Sequence, residues 1–148
     1  MSRVMGVDYG ARRIGVALSD PTRTIASPLT TLVRRVGKRP PWGELERLVQ
    51  DHEVAELVVG LPLDLAGGET EWTGEVREFA AHLERRTNRP VSLFDERLTS
   101  VEAERVVRGS GLRRSQREEK ARVDAAAAAI ILRNYLASRT TGADDVTT

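Results

Sequence analysis

The 148-residue chain contains no cysteine, which excludes a disulfide framework, thiolate metal sites and a cysteine nucleophile. Histidine is nearly as scarce: His52 and His82 are the 2 in the chain, far apart, each in a charged, helix-like stretch. A zinc centre or a histidine-based triad therefore has little to build on. Aromatic residues make up 4%, leaving Tyr9, Trp42 and Trp72 as rings that could stack on unpaired bases. Trp42, beside Pro40-Pro41, reads rather as a packing residue at a helix start. No apolar run is long enough to span a bilayer, and the first residues lack the apolar core of a signal peptide. The expectation is a soluble, intracellular, cytoplasmic protein. Net charge has almost no sign, 23 Lys plus Arg against 22 Asp plus Glu for a net of +1.

The distribution of charge says more than its sum. The basic side is nearly all arginine and comes in clusters: Arg12-Arg13, Arg34-Arg35 with Lys38-Arg39, Arg85-Arg86, and Arg113-Arg114 with Arg117. Guanidinium forks bind phosphate bidentately, so such pairs hint at nucleic acid. Taken alone, they fit an arginine-rich solvated surface better.

Residues 3–8 and 14–19 read as two strands joined by a glycine hairpin, and Thr24 to Val33 as a third extended run whose Pro28 places it near an edge. Trp42 to His52 has helical spacing in Leu45, Leu48 and Val49. Glu56 to Pro62 reads as a buried parallel strand ending in a loop, and Glu71 to Thr87 as a second helix with Val76, Phe79, Ala80 and Leu83 inward. Pro90 to Asp95 is a further strand. Helices are expected over 99–108 and 120–138, separated by a basic loop with glycine hinges that closes over a ligand or merely connects. The fold class is α/β, a mixed five-stranded sheet, antiparallel in its first three strands and flanked by helices. One domain spans residues 1–138, followed by a flexible polar tail over 139–148.

Within this frame Asp8 stands out, the lone charge in the apolar run Val4-Met5-Gly6-Val7-Asp8. A carboxylate at the end of a buried strand is costly unless a cation or donor meets it. Gly10 and Gly15 let a ligand approach the backbone, and Arg12 and Arg13 suit a phosphate. Asp124 is the single charge in Val123 to Leu132, an alanine-rich face able to pack closely on a sheet. Aspartate is a poor mid-helix residue, and an ion pair with Lys120 at i−4 gives little reason to place one there. Asp95-Glu96-Arg97 follows a strand at the edge where such sheets gather ligands. Side-chain parity leaves open which of Asp95 and Glu96 faces the site. Three carboxylates from separate elements specify a hard divalent cation, Mg²⁺ or Mn²⁺. Asp64 is a possible fourth ligand or a loop cap.

These residues resemble the YqgF/RuvX family, the Holliday-junction-resolvase-like and pre-16S rRNA nucleases of bacteria. The resemblance runs from Met5 to about Leu136. It rests on Gly6-Val7-Asp8-Tyr9-Gly10 with Arg13-Ile14-Gly15-Val16-Ala17 and Ser19-Asp20, then Val59-Gly60-Leu61-Pro62-Leu63. It continues in Asp95-Glu96-Arg97-Leu98-Thr99-Ser100 and closes with Lys120 and Asp124-Ala125-Ala126-Ala127. It implies a ribonuclease-H-like fold, metal-dependent nuclease chemistry and maturation of the 5′ end of 16S rRNA. Carried over, it makes Asp8, Glu96 and Asp124 the catalytic acids and metal ligands, and so chooses Glu96 over Asp95. Where many ribonuclease-H-like enzymes place an acid near the end of the fourth strand, this chain has Gly60-Leu61-Pro62.

The expected reaction is phosphodiester hydrolysis, with Asp8 bridging the metals and Glu96 and Asp124 completing their coordination. Arg12, Arg13, Lys120, Arg113 and Arg114 are candidates for phosphate contacts, and Arg97 for orienting Glu96. The substrate is structured RNA or branched DNA; a junction-cutting enzyme would need a homodimer to present two sites. Two rivals remain. An actin-like or sugar-kinase nucleotide module needs two facing domains, for which this chain is too short. A non-catalytic RNA-binding assembly factor is the expected outcome when acids are lost, and here all three are present.

Overall fold

The computed structural model describes residues 2–34, 39–96 and 116–147. Continuous runs of apolar and small residues, buried on both faces, build the first strands, β1 (Arg3–Tyr9) and β2 (Arg13–Ser19). They pair antiparallel, with Asp8 opposite Gly15. The turn between them is closed by the Gly10 N–H donating to the Arg13 carbonyl at 2.9 Å. A side chain at Gly10 would run into that same carbonyl. β3 (Ala26–Val33) pairs antiparallel with β2 and forms one edge of the sheet, where Pro28 costs no interior hydrogen bond.

After α1 (Trp42–Asp51), β4 (Val54–Leu61) lies parallel to β1. After α2 (Glu71–Thr87), β5 (Val91–Asp95) lies parallel to β4 and completes the order β3-β2-β1-β4-β5. Thr70 caps α2 reciprocally with Thr73, whose hydroxyl also donates to the Pro62 carbonyl at 2.5 Å. That bond ties the loop after β4 to the start of α2.

Strand alternation divides the core in two. Met5, Val7, Ile14, Val16, Leu57 and Val59 face α1 and α2. Val4, Ala17 and Val58 face the last helix, α3 (Gln116–Thr147), through Ala128, Ile131, Leu132 and Tyr135. α3 packs chiefly on β2, β3 and β1. The helix does not stop at Ser138, where the polar composition placed the start of a tail; its backbone stays helical to Thr147. Residues 139–147 contain no proline, and the lone Gly142 costs a helix about 1 kcal/mol without ending it. The helix expected over 99–108 lies outside the described residues, as does most of the basic loop after it.

Candidate metal and nucleic-acid site

Three elements bring three carboxylates to the carboxyl edge of the sheet, on the α3 face. Asp8 is the next-to-last residue of β1. Two residues along each strand returns to the same face, so Val4, Gly6 and Asp8 form one row beneath α3. Glu96 directly follows β5, and its N–H donates to the Leu61 carbonyl at 3.2 Å, extending the parallel ladder by one step. This fixes which neighbouring acid faces the site: Glu96 is in phase with Phe94, which packs on the α3 cluster, and Asp95 with Leu93, which packs on the other.

Asp124 reaches the same place because glycines remove the obstacles. A Cβ on Gly15 would overlap the backbone carbonyl of Asp124, and one on Gly6 would lie 2.8 Å from the Leu132 Cβ. A Cβ on Gly60 would overlap the Glu96 carboxylate and Ile131. The close seat of α3, and the space for Glu96, both exist only because these positions lack side chains.

The electrostatics are those of crowded acids. Asp8 keeps some exposed surface as a residue, yet the atoms packed round its carboxyl strip away most of its water. That desolvation, with the charges of Glu96 and Asp124 and a hydrogen bond to Glu96, pushes its pKa from 3.8 up to about 8. Burial also raises Glu96, opposed by its hydrogen bond with Asp8. Burial and mutual repulsion therefore favour one proton on the Asp8–Glu96 pair, held between the two carboxyls. Asp124 is met by Arg13, whose Nε donates to Oδ2 at 2.7 Å.

Among the described residues, no three His, Cys, Asp or Glu side chains are already disposed as a cation-holding set. In this arrangement Asp8 and Glu96 hydrogen-bond to each other, and Asp124 accepts from Arg13. The donor set nonetheless fits a hard divalent cation. It is all oxygen, comes from separate rigid elements, and holds acids whose mutual repulsion a cation would relieve.

The remaining candidates divide. Arg12 is exposed at the hairpin tip. Lys120 lies on α3 one helical turn before Asp124. Arg97, Arg113 and Arg114 lie outside the described residues. Asp64 is a loop cap: its Oδ1 accepts from the N–H of Ala66 at 2.9 Å and of Gly68 at 2.7 Å. Tyr9 and Trp42 are not open stacking platforms. Tyr9 is 8% exposed and lies between Trp72 at 5.4 Å and Phe79 at 3.9 Å. Trp42 stacks on Phe79 at 5.3 Å from the first position of α1, as its place beside the proline pair implied. A cleft of about 310 Å³ beside these rings contains none of the three acids.

The sequence reading missed two features. One is the Arg13–Asp124 pair, which joins residues 111 positions apart. The other is Glu56, buried beneath α3 and bonded by Arg23 at 2.6 Å and by the Tyr135 hydroxyl at 3.2 Å. A signal for the first was present: Gly15, opposite Asp8 in the hairpin register, is where something else's backbone must come close.

A mixed five-stranded sheet with this strand order, helices on both faces and acids along one edge defines a ribonuclease-H-like fold. Thermus thermophilus RuvC shares it, with a TM-score of 0.58 at 16% identity over 94% of this chain and 96% of that one. RuvC in complex with a Holliday junction substrate gives a TM-score of 0.57 at 17% identity over 95% and 96%. The family model for RuvX, described as Holliday junction resolvase, matches residues 2–138, and the chain belongs to that family. Two relatives carry the name "Putative pre-16S rRNA nuclease". One, from Lachnospira eligens, is 42% identical over 93% of this chain and 98% of its own. The other, from Koribacter versatilis, is 44% identical over 93% and 88%.

Proposed function

We propose that this chain is a nuclease that hydrolyses phosphodiester bonds in structured RNA, trimming the 5′ end of pre-16S rRNA in the cytoplasm with the help of Mg²⁺ or Mn²⁺. The observation that carries this reading is the convergence of Asp8, Glu96 and Asp124, from β1, the end of β5 and α3, onto one edge of the sheet. The names of the relatives supply the RNA. No helix among the described residues is long and apolar enough to cross a membrane.

The three carboxylates would hold the divalent cation. Bound there, it supplies Lewis-acid polarisation of the scissile phosphate and lowers the pKa of an attacking water. The chain's own residues do the rest. Asp8 would serve in its ionised form, because only the ionised carboxylate is a good oxygen donor. Glu96, fixed by the ladder bond to Leu61, would present its carboxylate from the end of β5. Asp124, seated over Gly15, closes the third side. Arg12 meets a flanking phosphate from the hairpin tip, positioning the strand without reading its bases.

A second reading, cleavage of branched DNA, is favoured by the description of the matching family model, and would call for a homodimer. The two are separated by offering the protein a structured RNA carrying the 16S 5′ flank and a four-way DNA junction, each with Mg²⁺ or Mn²⁺. The RNA is expected to be cut and Asp8→Asn, Glu96→Gln and Asp124→Asn to be inactive. Preferential cutting of the junction favours the second reading. Undiminished cleavage by all three variants removes the site, and RNA binding without metal-dependent cleavage makes the chain an assembly factor.

A further inference from the structure

Arg13 begins β2, two residues before Gly15 and on the same face. Its backbone is held, since its carbonyl closes the hairpin by accepting from Gly10, but its side chain is long and part-exposed. The guanidinium touches Asp124 through one bond, Nε to Oδ2 at 2.7 Å, with the two side chains 30% and 22% exposed. A single-point pair with water on one side is weak and easily exchanged. It is also in the place where a divalent cation would need Asp124. Two cations of like sign cannot share one carboxylate at contact distance without repulsion.

We propose that Arg13 is the placeholder cation of this site: its guanidinium holds Asp124 toward Asp8 in the metal-free protein and, displaced by the incoming divalent ion, turns to the substrate phosphate. The inference rests on the metal-site reading above and adds to it a specific competitor and a sequence of events. Its planar fork is suited to the second task, since it can meet a phosphate with two parallel bonds where it meets Asp124 with one. Metal uptake and phosphate capture become coupled through one carboxylate.

The sign of the effect on metal affinity separates this role from a merely structural tie between hairpin and helix. A tie, once cut, loosens Asp124 and weakens metal binding; a competitor, once removed, strengthens it. The experiment is calorimetric titration of the full chain with Mn²⁺ alone at fixed pH, for wild type, Arg13→Gln, Arg13→Lys and Asp124→Asn, with thermal melts confirming that each is folded. Arg13→Gln is expected to bind Mn²⁺ about twofold to fivefold tighter, a size consistent with losing one part-exposed charge contact. Arg13→Lys keeps the charge and stays within about twofold of wild type. With saturating Mn²⁺, Arg13→Gln raises the KM for structured RNA more than it lowers kcat. Equal or weaker Mn²⁺ binding by Arg13→Gln overturns the placeholder role and leaves the metal site standing. Failure of wild type to bind Mn²⁺, or binding undiminished in Asp124→Asn, overturns the metal site and the placeholder with it.

Discussion

Two buried acidic sites lie beneath α3 on the same face of the sheet, one a single glutamate and the other a group of carboxylates, and they have opposite characters. At one end, both oxygens of Glu56 are met by donors: Arg23 Nη1 at 2.6 Å on Oε1 and the Tyr135 hydroxyl at 3.2 Å on Oε2, with Ser92 a further 3.3 Å from that hydroxyl. Arg23 is held in turn by its Nε bond to the Ser2 carbonyl at 2.7 Å. At the other end, the forces on Asp8 are burial and two more carboxylates. A buried acid matched by its own donors is a structural joint that fastens β4 to α3 and the loop before β3. Acids crowded against one another store unfavourable charge that a ligand can relieve. Burial of a carboxylate does not by itself mark a site; the identity of its neighbours does.

The largest effect expected from this contrast is on cleavage. Asp8→Asn, Glu96→Gln or Asp124→Asn should each lower RNA cleavage by at least about 100-fold, since even groups that only support a metal ligand are worth about 10- to 100-fold. Glu56→Gln should leave the rate per folded molecule unchanged. Urea denaturation should instead show Glu56→Ala less stable by about 1–3 kcal/mol, because Arg23 and the Tyr135 hydroxyl both lose a part-buried acceptor.

Next in size is the seat of the helix. Gly15→Ala forces a methyl into the Asp124 carbonyl, so α3 must lift. A loss of about 1–3 kcal/mol is expected from such overpacking, together with most of the cleavage activity. Full activity in a folded Gly15→Ala protein would show that the close approach is not needed.

A smaller effect, opposite in sign, concerns stability without metal. Asp8 keeps its proton in the folded state up to about pH 8, whereas the unfolded chain releases it near pH 4. Between those values the folded state binds more protons, so its stability falls as pH rises and then levels off. Asp8→Asn removes that penalty. In EDTA its melting temperature should exceed wild type's by about 3 °C or more at pH 8, with the gap closing toward pH 4. A gap that widens toward low pH would reverse the assignment.

The smallest effect is expected at the hairpin tip. Arg12→Ala should weaken RNA binding across sequences alike and reduce the salt dependence by about one phosphate's worth. Filter binding at several salt concentrations measures it.

Much of this was legible in the sequence because the signals are local. Asp8 and Asp124 announced themselves as single charges in apolar runs, and the strand order placed Asp8 and the Asp95-Glu96 pair at one edge. The choice between Asp95 and Glu96 was not legible from residues alone, since it depends on where β5 ends in the ladder with Leu61. Arg13's partner was hidden for a related reason: it comes from the docking of α3, a contact set by three glycines on three strands. Glu56 was read as an ordinary member of a buried strand, because its compensation comes from Arg23 and Tyr135, far away in sequence. Tyr9, offered to bases by its scarcity, is claimed by the column of rings on the other face.

The most direct measurement is the thermal shift on adding Mn²⁺ to wild type, Asp8→Asn, Glu96→Gln, Asp124→Asn and Glu56→Gln under otherwise identical conditions. A ligand present at about 100 times its Kd stabilises the folded state by about 2.7 kcal/mol, enough for a shift of several degrees. The account predicts that shift in wild type and in Glu56→Gln, and its loss in the other three. A shift that survives in those three, or that disappears with Glu56→Gln, would contradict it.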